Sequence, residues 1–349
     1  MAEPASQLEV TAAEAGQKLL QFLLRRMPLP QPLLHRWIRT GQIRVNGGRA
    51  KPFDRLNEGD AVRLPPFAPA MAASAQESAP ATSLSAAPPA PPQAAPAHPK
   101  GSPQQRITPS TAAAPLPPVV YSDAEIIIFN KPAGLPVHGG TGHTDSLAAR
   151  IAAHYVHAPF MPTPAHRLDK DTSGLILAAA SYRMLRSLQD ALRTASLHKE
   201  YVAWAEGCWP HTAPHLLRHT LGKTYEGSDE RVRVNRHGTT RTAREAACVV
   251  HCVRVEPPSP AWPRGRSLLQ IRLLTGRTHQ IRVQLAAEGF PLCGDAKYGH
   301  GGTPLRLHAL RLVLPDGCVF VALPPWQGRD TLAEAPAPLE DISAQSSDL

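Results

Sequence analysis

The sequence predicts an α+β fold in two folded zones, a small α/β domain over residues 8–66 and a larger domain over residues 119–325. Two observations carry that prediction. An Ala/Pro/Ser/Gln-rich stretch, residues 67–118, divides the chain. Beyond it, strand-like and helix-like segments follow one another without the regular β–α alternation of a doubly wound sheet.

In the first zone, Gly16 to Arg26 reads as a short amphipathic helix with Leu19, Leu20, Leu23 and Leu24 on one side. Gln31 to Thr40 reads as a second helix carrying Arg36 and Arg39, ended by Gly41. Gln42-Ile43-Arg44-Val45 alternates as a strand, Asn46-Gly47 marks a tight hairpin turn, and Glu58-Gly59-Asp60 leads into Ala61-Val62-Arg63-Leu64. The 67–118 stretch has too few apolar side chains to offset its ordering entropy and is expected to be a disordered linker. Its prolines favour extension, to on the order of 100 Å, as a tether that raises the local concentration of the first zone near its target.

In the second zone, Ile126-Ile127-Ile128-Phe129 is a buried strand and Ser173 to Ala179 another, followed by a helix from about Ser181 to Ala195. Tyr201–Ala205, Ala246–Val253 and Ser267–Leu274 read as strands, Thr278–Glu288 as a helix, and His308–Val313 and Val319–Leu323 as closing strands. Residues 326–349 are acidic and polar and are expected to form a loose tail.

A formal charge of +9 points to a polyanionic partner rather than a neutral metabolite. Five cysteines (208, 248, 252, 293 and 318) make no disulfide framework and fit a reducing cytoplasm. Cys248, His251 and Cys252 lack further ligands at zinc spacing and read as buried thiols. No signal peptide or membrane-length apolar run is present, so a cytoplasmic protein without membrane attachment is expected. Gly139-Gly140-Thr141-Gly142 lacks the Lys and the spacing of a phosphate loop.

One segment stands out for chemistry: His166-Arg167-Leu168-Asp169-Lys170-Asp171-Thr172-Ser173-Gly174, a polar loop entering an aliphatic strand. Arg167 and Lys170 flank Asp169, and nearby cations favour an ionised carboxylate, which can act as a covalent nucleophile. Taken alone, the loop could equally be a salt-bridged turn. Gly134 and Gly174 are expected to permit close backbone approach.

The motif resembles the signature of the RluA-type pseudouridine synthases, and four others follow the same family's order. They are Asn130-Lys131-Pro132-Ala133-Gly134-Leu135-Pro136-Val137-His138, His198-Lys199-Glu200-Tyr201-Val202-Ala203-Trp204, Leu274-Thr275-Gly276-Arg277-Thr278-His279-Gln280-Ile281-Arg282 and Gly294-Asp295-Ala296-Lys297-Tyr298-Gly299. The resemblance implies a pseudouridine synthase fold, with a mixed, largely antiparallel sheet flanked by helices. It implies Asp169 as nucleophile, Tyr201 stacked on the uracil and Arg282 ion-paired with Asp169. Arg167 would hold the nucleotide out of the RNA stack, and His166, Lys131, His138, Arg277 and His279 would contact substrate. The base must be extruded because its glycosidic bond is inaccessible in a helix. No cofactor or metal is implied. Gln284 departs from the family, which usually has His there.

Residues 34–47 with Gly59-Asp60-Ala61-Val62 resemble the small RNA-binding domain shared by a small-subunit ribosomal protein and some tRNA synthetases. Arg36, Arg39 and Arg44, with Asn46, are its candidate RNA contacts. Here Gln17-Lys18-Leu19-Leu20 replaces the usual Arg-Leu-Asp run of its first helix. That domain, His138-Gly139-Gly140-Thr141-Gly142 and Asp229-Glu230-Arg231-Val232-Arg233-Val234 look most like the C subtype of the ribosomal large-subunit enzymes. The expected partner is 23S ribosomal RNA or a pre-ribosomal large-subunit particle, met by a monomer at several uridines. The alternatives are D-subtype site choice, a non-catalytic RNA-binding or ribosome assembly factor, and a glycosidase pairing Asp169 with Asp171. The last needs a second acid in a comparable motif, and none is found.

Overall fold

A computed structural model describes residues 7–27, 29–77, 114–139, 145–226, 229–235 and 243–339. The chain divides into two compact units, residues 1–115 and 116–349.

In the first unit, α1 (Leu19–Arg26) and α2 (Gln31–Arg39) turn Leu19, Phe22, Leu23, Leu34, Trp37 and Ile38 into one core. They pack with a four-stranded sheet of β1 (Gln7–Glu9), β2 (Arg44–Val45), β3 (Gly48–Arg49) and β4 (Ala61–Arg63), in the order β1-β4-β2-β3. The hairpin expected at Asn46-Gly47 is present: both residues have positive φ, 49° and 76°, as a two-residue turn matched to strand twist requires. β1 was not foreseen from the polar N-terminal run. The stretch expected to be linker begins with a helix instead, α3 (Ala68–Glu77), whose Ala68 is buried in the unit's core. Its run of alanines has high intrinsic helix propensity, which the composition argument overlooked. Residues 78–113 lie outside the described residues.

The second unit is built on an eleven-stranded sheet, and the fold is α+β. Its strands are β5 (Val119–Ser122), β6 (Ile126–Lys131), β7 (Thr163–Pro164), β8 (Ser173–Ala179), β9 (His198–Glu206), β10 (His215–Glu226), β11 (Asp229–Val234), β12 (Arg244–Glu256), β13 (Arg266–Leu273), β14 (Leu307–Val313) and β15 (Val319–Val321). The main path runs β11-β10-β12-β13-β9-β14-β8-β6-β5. Every pairing is antiparallel except β14 with β8. β8 is buried along its whole length, as expected for an aliphatic strand with sheet on both sides. Each of Leu175, Ile176 and Leu177 contributes about 1.5–3 kcal/mol of burial.

The helices are α4 (Leu147–His154), α5 (Tyr182–Arg193) and α6 (Gln280–Ala287). α5 begins where Ser181 Oγ accepts the Met184 N–H, an N-cap that the sequence supplies directly. The parallel pair places Gly174 opposite Ala309, and Ala309 in turn lies opposite Tyr201 on β9. A Cβ at Gly174 would sit 2.3 Å from the Ala309 carbonyl oxygen, and its φ is +109°. Only glycine allows the two backbones to approach here. Gly134 differs from expectation: nothing lies within 4 Å of a Cβ there, so its φ of +87° serves a turn rather than a close approach.

The expected loose tail is corrected for residues 326–339. Trp326 is buried in a cluster with Trp204 and Leu268. Asp330 accepts Arg266 Nη1 and Arg306 Nε. The Leu339 N–H donates to Glu200 Oε1 at 2.9 Å, and Gln270 Nε2 donates to the Ala337 carbonyl. An acidic residue of the segment, Asp330, meets two arginines of the sheet domain instead of solvent. Residues 340–349 lie outside the described residues.

Candidate active site

The loop carrying Asp169 links β7 to β8 and is held from two sides. The Thr172 N–H donates to the Asp169 carbonyl, closing a turn. Across the loop, Lys131 at the end of β6 is fully buried, and its Nζ donates to the carbonyls of Pro132 (2.9 Å), Leu135 (2.8 Å) and Lys170 (3.0 Å). The Gly134 N–H also donates to the Lys170 carbonyl. Lys131 is therefore not a substrate contact, as the resemblance implied. Its three donors are spent on backbone oxygens, and it ties the first motif to the nucleophile loop. Burial lowers its pKa to about 8, opposed by the charges of Asp171 and Asp169.

α6 supplies the arginine. Arg282 Nε and Nη2 reach the two oxygens of Asp295 at 2.7 and 2.8 Å, while Nη1 reaches Asp169 Oδ2 at 3.3 Å. The expected Arg282–Asp169 pair is thus present, but it is the longer arm of a three-membered arrangement. The Asp295 side chain is fully buried and also accepts the N–H groups of Lys297 and Tyr298. Burial alone would raise its carboxyl, but the hydrogen bonds and charge of Arg282 and the two amides outweigh that and hold it below the usual range. Burial would lower the Arg282 pKa; its two carboxylate partners raise it instead. A guanidinium fixed bidentately by a buried acid cannot swing away. It presents one N–H to Asp169 and leaves the other Asp169 oxygen without a hydrogen bond among the described residues. The Tyr298 ring lies 5.2 Å from the Arg282 guanidinium carbon.

Asp169 lines a cavity of about 400 Å³ together with Tyr201, Lys199, Arg277, His279 and Arg282. Such a volume suits one nucleoside-sized ligand. Tyr201 is buried, and burial with the Asp169 charge raises its phenol pKa. Lys199 precedes it by two on β9, so both point to the same face of the strand. Burial pushes the Lys199 ammonium down to about 8, and it has no ion-pair partner among the described residues. Arg167 and Arg277 are exposed and also line the cavity, with Arg277 Nε donating to the Glu245 carbonyl. His138 keeps an exposed face, and the partial desolvation of its ring, with the Arg167 charge, lowers its pKa. Of its glycine run, residues 140–142 lie outside the described residues.

His166 lines the cavity too, but its Nε2 accepts the Leu177 N–H at 3.2 Å. Burial, with the Lys199 charge, pushes it down to about 3, a neutral ring engaged with strand β8. Its part is therefore chiefly structural. His279 lies 4.0 Å from Asp169 Oδ2, and its Nδ1 is 2.8 Å from the Tyr298 hydroxyl. The departure at Gln284 is absorbed structurally: its amide donates to the carbonyls of Leu217 and Ala246 and fastens α6 to β10 and β12. The Cys248 thiol donates to the Gln284 carbonyl oxygen, and burial raises its pKa to about 12.

Sequence reasoning missed the roles of Asp295, Tyr298 and Lys199 in this site. All three stand in motifs that had been singled out, so the signal was there. What pattern alone lacks is the pairing between a residue on α6 and one in the following turn.

In the first unit, Arg36 and Arg39 are exposed and border a pocket with His35, Arg49 and Lys51. Arg44 is partly engaged in its own turn, donating to the carbonyls of Gly41 and Gly47. Asn46 is exposed, and its side chain also braces the hairpin: its amide donates to Asp60, and its carbonyl accepts the Ala61 N–H. These two bonds fix the hairpin against β4.

Residues 125–287 match the RNA pseudouridylate synthase family. Ribosomal large subunit pseudouridine synthase C of Yersinia pestis is 30% identical over 294 residues, 84% of this chain and 79% of the relative. The protein of the same name in Haemophilus influenzae is 31% identical over 310 residues, 87% of this chain and 82% of the relative. Among solved structures, human RNA pseudouridylate synthase domain containing 1 covers 62% of this chain and 86% of its own, at 20% identity and a TM-score of 0.50. That likeness bears on the fold alone.

Proposed function

The chain belongs to the RNA pseudouridylate synthase family and is an RNA-modifying isomerase, and on that premise we propose that it converts several uridines of 23S ribosomal RNA to pseudouridine with Asp169 as nucleophile. The substrate follows from the large-subunit relatives. The net +9 charge suits an RNA polyanion. No described helix is long and apolar enough to cross a membrane, and a cytoplasmic monomer acting on RNA or pre-ribosomal particles is the proposed setting.

The single observation that carries the nucleophile is the shared guanidinium of Arg282. It is anchored to buried Asp295 and offers a further N–H to Asp169 at 3.3 Å. An ionised carboxylate so oriented, with one oxygen uncommitted, is poised to attack. The flipped uridine enters the cavity, its ring against Tyr201. An Asp169 oxygen bonds to C1′ of the ribose or C6 of the base, and the N1–C1′ bond breaks. The uracil rotates, C5 bonds to C1′, and the Asp169 bond is released. The C5 proton is lost and N1 gains one, so substrate and product are isomers. Arg167 and Arg277, exposed at the cavity, bind the flanking phosphates, and Arg36 and Arg39 of the first unit bind RNA further along the chain.

Incubating the protein with unmodified 23S transcript and mapping pseudouridine tests the reading. Discrete modified uridines with wild-type protein and none with Asp169→Asn are expected. Full activity in that variant would remove Asp169 from the chemistry, and an unmodified transcript would remove the substrate assignment.

A further inference from the structure

His279 lines the cavity, and the mechanism above does not use its geometry. It precedes α6 with φ of 54°, a left-handed conformation that a non-glycine residue adopts at a cost. That conformation aims the ring between two partners. On one side, Nδ1 lies 2.8 Å from the Tyr298 hydroxyl. On the other, Nε2 lies 4.0 Å from Asp169 Oδ2, too far for a direct hydrogen bond.

The hydrogen-bond arithmetic around Tyr298 sets the proton. Its hydroxyl oxygen accepts the Val232 N–H at 3.3 Å. The hydroxyl proton then has one acceptor within reach among the described residues, His279 Nδ1. A phenol donating to Nδ1 leaves the neutral imidazole proton on Nε2. The charged and titratable groups around the ring are Asp169, Arg282, Lys297, Asp295 and Tyr298. Burial lowers the imidazole pKa, and Arg282 and Lys297 act in the same direction against Asp169 and Asp295, which keeps the ring neutral near pH 7.

An N–H donor and a carboxylate acceptor 4.0 Å apart leave room for one oxygen between them. That oxygen must accept from His279 and donate to Asp169. A uracil carbonyl cannot do this, because it has no proton and the carboxylate repels it. A hydroxyl does both. The ribose 2′-hydroxyl is bonded to the carbon next to C1′, and C1′ and C6 are separated only by N1, so it comes close to Asp169 whichever atom is attacked. We propose that His279, held by Tyr298, reads the 2′-hydroxyl of the target uridine and so makes the site selective for ribose. The proposal rests on the isomerase reading above. It adds a substrate contact that distinguishes RNA from DNA at the reacting nucleotide.

The test uses the full-length chain and an RNA fragment containing one uridine it modifies, made with ribose or with 2′-deoxyribose at that nucleotide. Single-turnover rates of wild type should fall about ten-fold on the deoxy substrate, the loss of one hydrogen bond. His279→Ala should lose a similar factor on the ribose substrate and nothing further on the deoxy one. His279→Gln, with an amide N–H in place of Nε2, should recover part of the rate. Equal deoxy penalties in wild type and His279→Ala would overturn the proposal. Because His279→Ala could disturb α6, the imidazole ¹⁵N spectrum of wild type provides a second readout. An Nε2–H tautomer that shifts towards Nδ1–H in Tyr298→Phe is expected, and an Nδ1–H tautomer in wild type would overturn the proposal with the isomerase intact. A protein that modifies no RNA would instead refute the isomerase reading, and the proposal with it.

Discussion

Replacing Asp295 by Asn separates the anchoring of Arg282 from the chemistry of Asp169. The carboxylate is fully buried and carries four hydrogen bonds, two from Arg282 and two from the amides of Lys297 and Tyr298. Asparagine keeps the shape, and its carbonyl oxygen in place of Oδ1 can still accept Arg282 Nη2 and the two amides, but its –NH₂ faces Arg282 Nε, donor against donor, and the neutralising charge is gone. Breaking one side of a buried ion pair typically costs about 3–5 kcal/mol, and the retained amide contacts put the expected loss near the lower end, about 3 kcal/mol. The assay is urea unfolding between pH 3 and 7 alongside single-turnover isomerisation. The sign of the pH effect follows from the lowered Asp295 pKa: its contribution is complete above the unfolded value, about 3.9, and is lost as pH falls through the lower folded value. Wild type should therefore lose its advantage over Asp295→Asn below about pH 4. Arg282→Met combined with Asp295→Asn should cost less stability than the two single losses added, because each single variant strands the other's buried group. Activity of Asp295→Asn should fall by two orders of magnitude or so, as expected when a group that orients the nucleophile is freed. A stability loss under about 1 kcal/mol with near-wild-type rate would refute the anchoring argument.

Three further outcomes can be checked. Lys199→Met should raise stability near pH 7: the folded pKa of about 8 lies below the unfolded value of about 10.4, so wild type gains stability as pH rises between them, a rise that urea midpoints should show more steeply in wild type than in the variant, where Lys131 alone of the two buried lysines still contributes it. Gly174→Ala should cost upwards of about 3 kcal/mol in chemical denaturation or prevent soluble expression, since its Cβ would sit 2.3 Å from the Ala309 carbonyl oxygen at a φ of +109°; a loss below 1 kcal/mol or so would mean the β8–β14 contact yields easily. Truncation after Pro325 should lower the thermal midpoint, because it removes Asp330 from buried Arg266 and the Leu339 amide from buried Glu200; an unchanged midpoint would show the segment to be passive.

How far the fold could be read from sequence depended on whether a local signal decided the element. β8 is a run of seven buried residues, and its aliphatic composition placed it residue for residue. The Asn46-Gly47 hairpin followed from the two positive φ values that such a turn demands. β10 and β11 were missed as a hairpin because their charged, half-polar residues carry little hydrophobic periodicity; they are strands through pairing with β12 and each other. The segment 326–339 was misread for a related reason. Acidic composition reports solvent preference, and it cannot report that Arg266 on β13 and Arg306, just before β14, wait for Asp330.

The site shows the same division one level up. Asp169 and Arg282 could be named because each sits in a recognisable motif, and the structure brings them to 3.3 Å. Lys131 was misassigned for the opposite reason: a lysine in a matching motif suggests a substrate anion, yet three carbonyls consume its ammonium. A motif marks a position as constrained without saying whether ligand or backbone imposes the constraint. Four of the five motifs also interlock in pairs. The first, through Lys131, holds the loop of the second; the last, through Asp295 and Tyr298, holds Arg282 and His279 of the fourth. The arrangement around Asp169 therefore behaves as one unit. Substitutions at its supporting residues should couple with those at Asp169 rather than add to them.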